Sequence, residues 1–202
     1  MLEQYLPIYA TLEERMRQIA AVDPLAASVH DPRLERSAAI RADLAARFGE
    51  GHTPAPPLPA TERYTARLAI ADTPALVAHH YLRYPGDLSG GQAIGALVAR
   101  HYGVPAEQLS MWDFWAVGAP KRVEDRYRDS LDRITDPAVQ QAVIAEAVHG
   151  FALAADLFED PLPLTRTGDA PRPRLPRCGT AGASGTGRMR GARTGIRSAR
   201  GR

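Results

Sequence analysis

The sequence is poor in two residue types that build common kinds of site. A single cysteine, Cys178, occurs in 202 residues, which excludes an internal disulfide framework and any zinc site built from paired cysteines. A single lysine, Lys121, lies in the segment GAPKRV. The chain therefore has no phosphate-binding loop of the form G-x-x-x-x-G-K-[ST], whose lysine reaches the phosphates.

Long apolar runs are missing from the beginning of the chain. The opening segment, MLEQYLPIYATLEERMRQ, carries Glu3, Glu13 and Glu14 and has no unbroken apolar run. It is therefore predicted to be neither a signal peptide nor a membrane-spanning helix, and we expect a cytoplasmic protein with no membrane span. With 45% hydrophobic residues, the chain can bury one core of ordinary size.

Acidic residues are scarce at the end of the chain. Residues 161–202 contain ten arginines and one acid, Asp169, whereas residues 1–160 contain more acids than bases. This tail is rich in Pro, Gly, Ser, Thr and Arg and has almost nothing to bury, so we expect it to be disordered. It is either a solvated extension or an arm attracted to phosphate groups of RNA or membranes. The lack of interleaved aromatic residues argues against nucleic-acid binding.

The preceding residues have the apolar spacing of helices. Leu6, Tyr9, Leu12 and Met16 recur at three and four residues, which is the period of a helix face packed on a core. The predicted helices span residues 2–21, 32–48, 60–71, 74–102, 119–134 and 137–158. No alternating segment is long enough to suggest a sheet. We therefore predict an all-α domain over residues 1–160, followed by the tail 161–202.

Local signals mark where these helices start and stop. Asp31-Pro32, Thr73-Pro74 and Asp136-Pro137 each place a capping side chain before a proline, whose missing N–H costs nothing at the first helical position. Gly49 and Gly103 follow periodic runs as left-handed caps do.

The longest predicted helix contains three glycines. Gly86, Gly90 and Gly91 lie in the segment YPGDLSGGQ. A glycine inside a helix costs about 0.5–1 kcal/mol relative to alanine, so three of them need a reason beyond packing. Residues 88–92 spell LSGGQ, the signature of ATP-binding-cassette transporters, but that signature works only opposite the lysine-containing loop that this chain lacks.

The other interpretation is a kinked helix that lies over a flat ligand. Without a Cβ, glycines allow a ligand to approach the backbone, and Pro85 cannot donate to the Tyr81 carbonyl, so we expect a bend there. Gly86 and Gly90 share one helix face, and Asp87 points to the side, where a carboxylate can hold water near the ligand. The alternative is that the glycines mark only a packing kink.

The passage PALVAHHYLRYPGDLSGGQAIGALVARHYGV strongly resembles the distal helix of heme oxygenases, especially the bacterial, biliverdin-producing ones. The resemblance extends backwards through YLPIYATLEERM and DPRLERSAAIRADL and forwards through VEDRYRDSLDRI and HGFALAADLFED. It covers residues 4–160 and implies a single heme-oxygenase-like helical bundle with a long, glycine-kinked distal helix.

The resemblance implies roles for the residues of the glycine segment. Gly86 and Gly90 match the glycines whose backbone contacts the heme face and leaves room for dioxygen, and Gly91 beside them is expected to bind heme. Asp87 matches the distal aspartate, which in this family orders a water network that delivers protons to bound dioxygen. The expected catalytic residues are thus Asp87, Gly86 and Gly90. The alternative for Asp87 is that it caps a broken helix.

Two further residues match the family's contacts to the heme propionates, Tyr81 and Arg128. A guanidinium presents paired donors to a carboxylate and stays charged. The alternatives are that Tyr81 is a core tyrosine and that Arg128 pairs with Glu124, four residues earlier on its helix. Glu124 stands where the family often has a propionate-binding lysine, and Lys121 is displaced from that place by three residues.

The implied reaction is the oxidative opening of heme to biliverdin, carbon monoxide and ferrous iron. Heme is then both cofactor and substrate, and dioxygen is consumed. The chain has no G-x-G-x-x-G after a strand, so we expect its electrons to come from a separate ferredoxin or NAD(P)H-dependent reductase.

The iron ligand is the main departure from the family pattern. The family carries its proximal histidine on a helix ahead of the segment matched by YLPIYATLEERM, and we expect that helix to be missing here. Six histidines are present: His30, His52, His79, His80, His101 and His149. None substitutes obviously, His149 is the least implausible, and no metal ligand is predicted. The chain is therefore a heme oxygenase with a start further upstream, a truncated heme-binding protein without turnover, or an inactive relic with exposed apolar surface.

Overall fold

The structure is a computed structural model that describes residues 1–160, and every regular element in this part of the chain is a helix. Its α-helices are α1 (Leu2–Ala20), α2 (Pro24–Val29), α3 (Ser37–Phe48), α4 (Pro59–Ala69), α5 (Thr73–Tyr102), α6 (Pro120–Asp132) and α7 (Pro137–Glu159). Short 3-10 turns lie at Pro32–Leu34, Ala106–Gln108, Ser110–Trp112 and Trp115–Val117. The all-α prediction is confirmed. The predicted tail, residues 161–202, falls outside the described residues, so its disorder and the domain boundary stay predictions.

The predicted helix over residues 32–48 is wrong in its first part. A 3-10 turn ends at Leu34, and α3 starts only at Ser37. The break is stabilised by a distant carboxylate, since Glu13 accepts hydrogen bonds from the backbone N–H groups of Arg36 and Ser37. Such a contact leaves no local sequence signal. Helix α2 is not among the predicted helices, although its cap, Asp23 before a proline, has the same form as the three predicted starts.

The capping signals are largely correct, with shifts of one residue. The carboxylate of Asp72, not the Thr73 side chain, caps the start of α5 by accepting a hydrogen bond from a backbone N–H in its first turn. The predicted cap at Asp136 is confirmed. Gly103 has the left-handed conformation expected after α5, with φ 63° and ψ 30°. Gly49 has a positive φ of 96° but an extended ψ of 158°, so it ends α3 without the predicted left-handed helical cap.

Helix α1 lies at the centre of the bundle and packs against α2, α3, α4 and α5. Ile8, Leu12 and Met16 lie four residues apart and are almost completely buried. Burying each such side chain contributes about 1.5–3 kcal/mol. This apolar stripe fixes α1 against its neighbours and brings Tyr9, which is also fully buried, under α5.

Helix α5 runs unbroken from Thr73 to Tyr102 through Pro85 and the glycine segment. The glycines therefore do not end the helix, and the bend expected at Pro85 stays a prediction. Helices α5 and α7 approach each other closely at Gly150, where a Cβ atom would overlap Leu82 and lie 3.1 Å from the ring of His79. A larger residue at Gly150 would require the side chains of Leu82 and His79 to shift.

Helix α7 is, within residues 1–160, the one helix long and apolar enough to cross a membrane by length and composition alone. It packs against α5 and α4, and its Glu146 forms an ion pair with Arg67 of α4. In this structure α7 is thus a helix of the bundle. Four of its large apolar side chains are exposed, those of Ile144, Val148, Phe151 and Phe158.

Candidate functional site

An open groove of about 260 Å³ runs along α5 between α6 and α7. Tyr81 and Gly86 of α5, Arg128 of α6 and Phe151 of α7 line it. Three residues that were predicted to bind the same ligand, Tyr81, Gly86 and Arg128, therefore lie in one groove although Arg128 is far from the other two in sequence. The bundle brings them together by packing α6 against α5.

The glycines of α5 fall into two environments. A Cβ atom built on Gly86 or Gly90 meets no heavy atom within 4 Å, so the backbone is uncovered on this face. At Gly91 a Cβ atom would lie 3.0 Å from Cδ1 of Trp112, because one further residue turns the helix by about 100°. The expected grouping of Gly91 with the ligand-facing glycines is corrected: Gly91 is buried and allows Trp112 to pack closely.

Asp87 lies half-buried at the border between the uncovered glycine face and the interior. Its Oδ2 atom accepts a hydrogen bond of 2.5 Å from the hydroxyl of Tyr9 on α1. The carboxylate is thus held by tertiary structure inside a continuous helix, which argues against the alternative that it caps a broken one.

A guanidinium lies beside this pair. The Cζ atom of Arg83, one turn before Asp87 on α5, is 5.3, 5.7 and 4.9 Å from the ring centroids of Tyr5, Tyr9 and Tyr64. These distances allow cation–π attraction. The Nε and Nη2 atoms of Arg83 are buried and have no hydrogen-bond partner among the described residues. We refer to Asp87, Arg83 and the three tyrosines Tyr5, Tyr9 and Tyr64 as the Asp87 cluster.

The environment of Asp87 gives it an unusual acidity. Burial raises its pKa to about 6, against the opposing effects of the Tyr9 hydrogen bond and of the nearby charges of Arg83 and Arg36. Near neutral pH both the protonated and the ionised forms are therefore populated. A carboxyl group with this pKa can both give and accept a proton, which is the property required of a general acid or base.

The two predicted propionate contacts differ in their present partners. Arg128 is exposed and forms the expected ion pair with Glu124, at 3.6 Å, and a second one with Asp125, at 3.2 Å. Glu124 also accepts a hydrogen bond from Ser89 at the groove edge. Tyr81 is 38% exposed, so it is not a core tyrosine. Since surface ion pairs are weak, Arg128 can exchange these partners for the carboxylate of a ligand.

No histidine of residues 1–160 is among the residues that line the groove. His79 and His80 are buried in the bundle, where they contact the hydroxyl groups of Tyr64 and Tyr127. His30, His52 and His149 lie within 3.5 Å of the carboxylates of Glu35, Glu3 and Glu146. None of the groove-lining residues is a histidine, and within residues 1–160 no three or more His, Cys, Asp or Glu side chains are arranged so that they could hold a metal ion.

Several residues of the site were missed by the sequence analysis: Tyr5, Tyr9, Tyr64 and Arg83. For Arg83 a signal existed, because a residue four positions before Asp87 shares its helix face. Tyr9 lies 78 residues away from Asp87 in sequence, and no local pattern links them.

A second polar cluster joins α4, α5 and α7. Both carboxylate oxygens of Glu146 accept hydrogen bonds from Arg67, at 2.7 Å each. The Nε2 atom of His79, which is fully buried, lies 2.9 Å from the same carboxylate. These hydrogen bonds, that from Arg67 first, lower the pKa of Glu146 to about 2.

We expect this cluster to make stability sensitive to acid. The folded-state pKa of Glu146, about 2, lies below its ordinary value of 4.5. The ionised Glu146 side chain therefore contributes fully to the free energy of unfolding above pH 4.5, and this contribution is lost as the pH falls towards 2. After a discount for solvent screening, this contribution to the free energy of unfolding is on the order of 1–3 kcal/mol. Burial also lowers the pKa of His79, and its protonation destabilises the fold in the same direction.

The measurement is the free energy of unfolding of the wild type and of Glu146→Gln from pH 7 to pH 3. Glu146→Gln is expected to be less stable than the wild type at pH 7, and the difference between their free energies of unfolding should become smaller below pH 4.5. A stability difference that is independent of pH would contradict the lowered pKa of Glu146 in the folded state.

Comparisons with known proteins point to one family. The family model described as heme oxygenase matches residues 1–160. Heme oxygenase 1 of Pongo abelii is 36% identical over 161 residues, which cover 76% of this chain and 56% of the relative. Heme oxygenase 2 of Synechocystis sp. is 29% identical over 162 residues, which cover 76% of this chain and 64% of the relative. The chain thus spans little more than half the length of such curated relatives.

Solved structures show the same fold. The heme oxygenase of Leptospira interrogans superposes with a TM-score of 0.72 at 29% identity, over 78% of this chain and 79% of that one. Heme oxygenase-1 from Synechocystis sp. PCC6803, solved in complex with heme, has a TM-score of 0.73 at 24% identity, over 78% of this chain and 73% of that one.

Proposed function

The chain belongs to the heme oxygenase family, and we propose that it binds heme in the groove along α5 and opens the heme ring. The observation that carries this proposal is the juxtaposition of an uncovered glycine backbone with a half-buried carboxyl group. Gly86 and Gly90 offer a face without side chains, and Asp87 lies between them in sequence with its hydroxyl donor, Tyr9, beneath it.

The residues of the groove fit heme as a ligand. A flat macrocycle can lie on the glycine backbone because no Cβ atom stands in its way. Phe151 supplies an apolar contact at the side. Arg128 and Tyr81 line the groove and would bind the acidic propionates through a charged donor and a hydroxyl.

The protein would contribute proton handling through the Asp87 cluster. Asp87 holds or releases a proton at its carboxyl group, and Tyr9 orients that group through its hydrogen bond. Arg83 keeps a positive charge close to the ionised form. Heme itself supplies the iron that activates dioxygen and the ring that is opened, with biliverdin, carbon monoxide and ferrous iron as products. The electrons would come from a ferredoxin or an NAD(P)H-dependent reductase, in the cytoplasm.

A second candidate function, heme binding without turnover, is favoured by one observation. No histidine lines the groove within residues 1–160, and the family resemblance implies that turnover would need a neutral imidazole as a ligand of the heme iron. Imidazole added to the solution can serve as this ligand. It therefore separates heme opening from heme binding without turnover.

An optical titration with hemin tests the proposal. We expect a Soret band on binding, and biliverdin after reduction with a ferredoxin system when imidazole is added. Arg128→Ala is expected to weaken hemin binding about 2- to 5-fold, since an exposed ion pair contributes about 0.2–1 kcal/mol.

The matched control is Arg126→Ala, which removes an exposed arginine of the same helix that pairs with Asp31 outside the groove. Equal dissociation constants for the two variants would remove Arg128 from the binding site. A Soret band without biliverdin, with or without imidazole, would contradict turnover and leave the second candidate.

A further inference from the structure

A chain of polar side chains leads from the protein surface to the Asp87 cluster. It starts at Arg67, which is partly exposed, and continues through Glu146 to His79. The Nδ1 atom of His79 lies 3.2 Å from the hydroxyl oxygen of Tyr64, and Tyr64 belongs to the cluster. The connection joins α4, α5 and α7 and has no part in the ligand contacts proposed above.

The partners of His79 decide the direction of each hydrogen bond. An ionised carboxylate only accepts, so the Nε2 atom of His79 carries the hydrogen that is shared with Glu146. Burial lowers the pKa of His79, which keeps the imidazole neutral and leaves Nδ1 as an acceptor. The hydroxyl of Tyr64 must therefore donate to Nδ1.

This arrangement restrains the ring of Tyr64. Its hydroxyl is tied to His79, and its ring centroid lies 5.2 Å from the imidazole. The same tyrosine ring lies 4.9 Å from the Arg83 guanidinium. Of the three tyrosine rings around Arg83, that of Tyr64 is the closest, so a change in its orientation moves the nearest aromatic face away from the guanidinium.

We propose that His79 and Glu146 are positioning residues for the Asp87 cluster: with Arg67 they fix Tyr64 as a donor to His79 and thereby hold Arg83 beside the Asp87–Tyr9 pair. The inference rests on the proposed function for its biological meaning, because it concerns how the proton-handling group is kept in place. Neither residue contacts the groove.

The test measures the Asp87 carboxyl group in the protein without heme, by ¹³C NMR titration. Arg83 lowers the pKa of Asp87, so loosening the guanidinium should raise it. We expect Tyr64→Phe and His79→Gln each to raise the pKa of Asp87 by about 0.5–1 unit. The double variant should show no further rise, because both changes break the same connection.

The matched control is Asp156→Asn. It removes a carboxylate that also joins α7 to α4, through Arg63, but at the surface. This variant should leave the pKa of Asp87 unchanged. Tyr64→Phe deletes a single hydroxyl and keeps the ring, so the test does not depend on whether His79→Gln folds well.

The outcomes separate the inference from the proposed function. An unchanged pKa of Asp87 in both Tyr64→Phe and His79→Gln, or additive shifts in the double variant, would overturn the inference whatever the activity. If wild-type protein forms no biliverdin but the pKa shifts appear, the proposed function fails and the positioning role stands. If the inference and the proposed function are both correct, Tyr64→Phe and His79→Gln should form biliverdin more slowly than the wild type, with an unchanged dissociation constant for hemin.

Discussion

Replacing Asp87 with alanine is expected to leave hemin binding almost unchanged and to lower the rate of biliverdin formation by about 100-fold or more, the usual contribution of a positioned acid or base. Binding should persist because the uncovered backbone of Gly86 and Gly90 and the side chain of Arg128 are untouched. The measurement combines an optical titration with a biliverdin assay in the presence of imidazole.

Two further variants sharpen this prediction. Asp87→Asn keeps an acceptor for the Tyr9 hydroxyl but cannot carry the negative charge, so it should be nearly as inactive as alanine. Asp132→Ala removes an exposed aspartate at the end of α6 and should have no effect. An undiminished biliverdin yield in Asp87→Ala would remove the residue from the mechanism.

The pH dependence of the reaction should follow the same carboxyl group. Because the pKa of Asp87 is about 6, the rate of the wild type should change around that pH. Tyr9 donates to the ionised carboxylate and so lowers this pKa. Tyr9→Phe should therefore move the transition to higher pH, which distinguishes an effect on Asp87 from a general loss of structure.

Replacing Glu13 with alanine is expected to cause the largest loss of stability, about 4 kcal/mol or more. Glu13 is almost completely buried and accepts hydrogen bonds from the backbone N–H groups of Arg36 and Ser37, at 2.6 and 2.9 Å, and from the Ser37 hydroxyl. The hydroxyl of Tyr84 is a fourth donor, at 3.3 Å. Alanine would leave four buried donors without an acceptor, and each unsatisfied group costs about 1–3 kcal/mol.

The control for this experiment is the neighbouring glutamate. Glu14 is exposed and pairs with Arg17 on the same turn of α1, so Glu14→Ala should change stability little. Urea unfolding measures the free energy of unfolding of both variants, and an unchanged m-value allows their midpoints to be compared directly. Similar midpoints for Glu13→Ala and Glu14→Ala would show that the carboxylate of Glu13 does not hold the start of α3.

Glu13 also illustrates why the sequence analysis misplaced one helix. The apolar spacing around residue 32 continues into α3, and the signal Asp31-Pro32 is genuine, since Asp31 caps the 3-10 turn. The interruption at Arg36 depends on a carboxylate from α1, 23 residues away. Local propensity covers a few residues and carries no information about such a partner.

The amino-acid sequence by itself determined the all-α class, most of the helix positions and the resemblance of the glycine-containing helix α5 to the distal helix of heme oxygenases. These features rest on interactions between residues up to four apart, such as caps, apolar spacing and the glycines beside Asp87, so they can be recognised in a single chain. The family resemblance added heme-binding roles for Tyr81, Gly86 and Arg128, which line one groove; those roles stay predictions.

Only the tertiary structure decided which side chains act together. It paired Asp87 with Tyr9, enclosed Arg83 among three tyrosines and linked Glu146 to His79 across two helices. It also turned Gly91 away from the groove towards Trp112. The physical reason is that a polar side chain has many possible partners of the same chemistry, and only the packing of the apolar faces selects the one within hydrogen-bond distance.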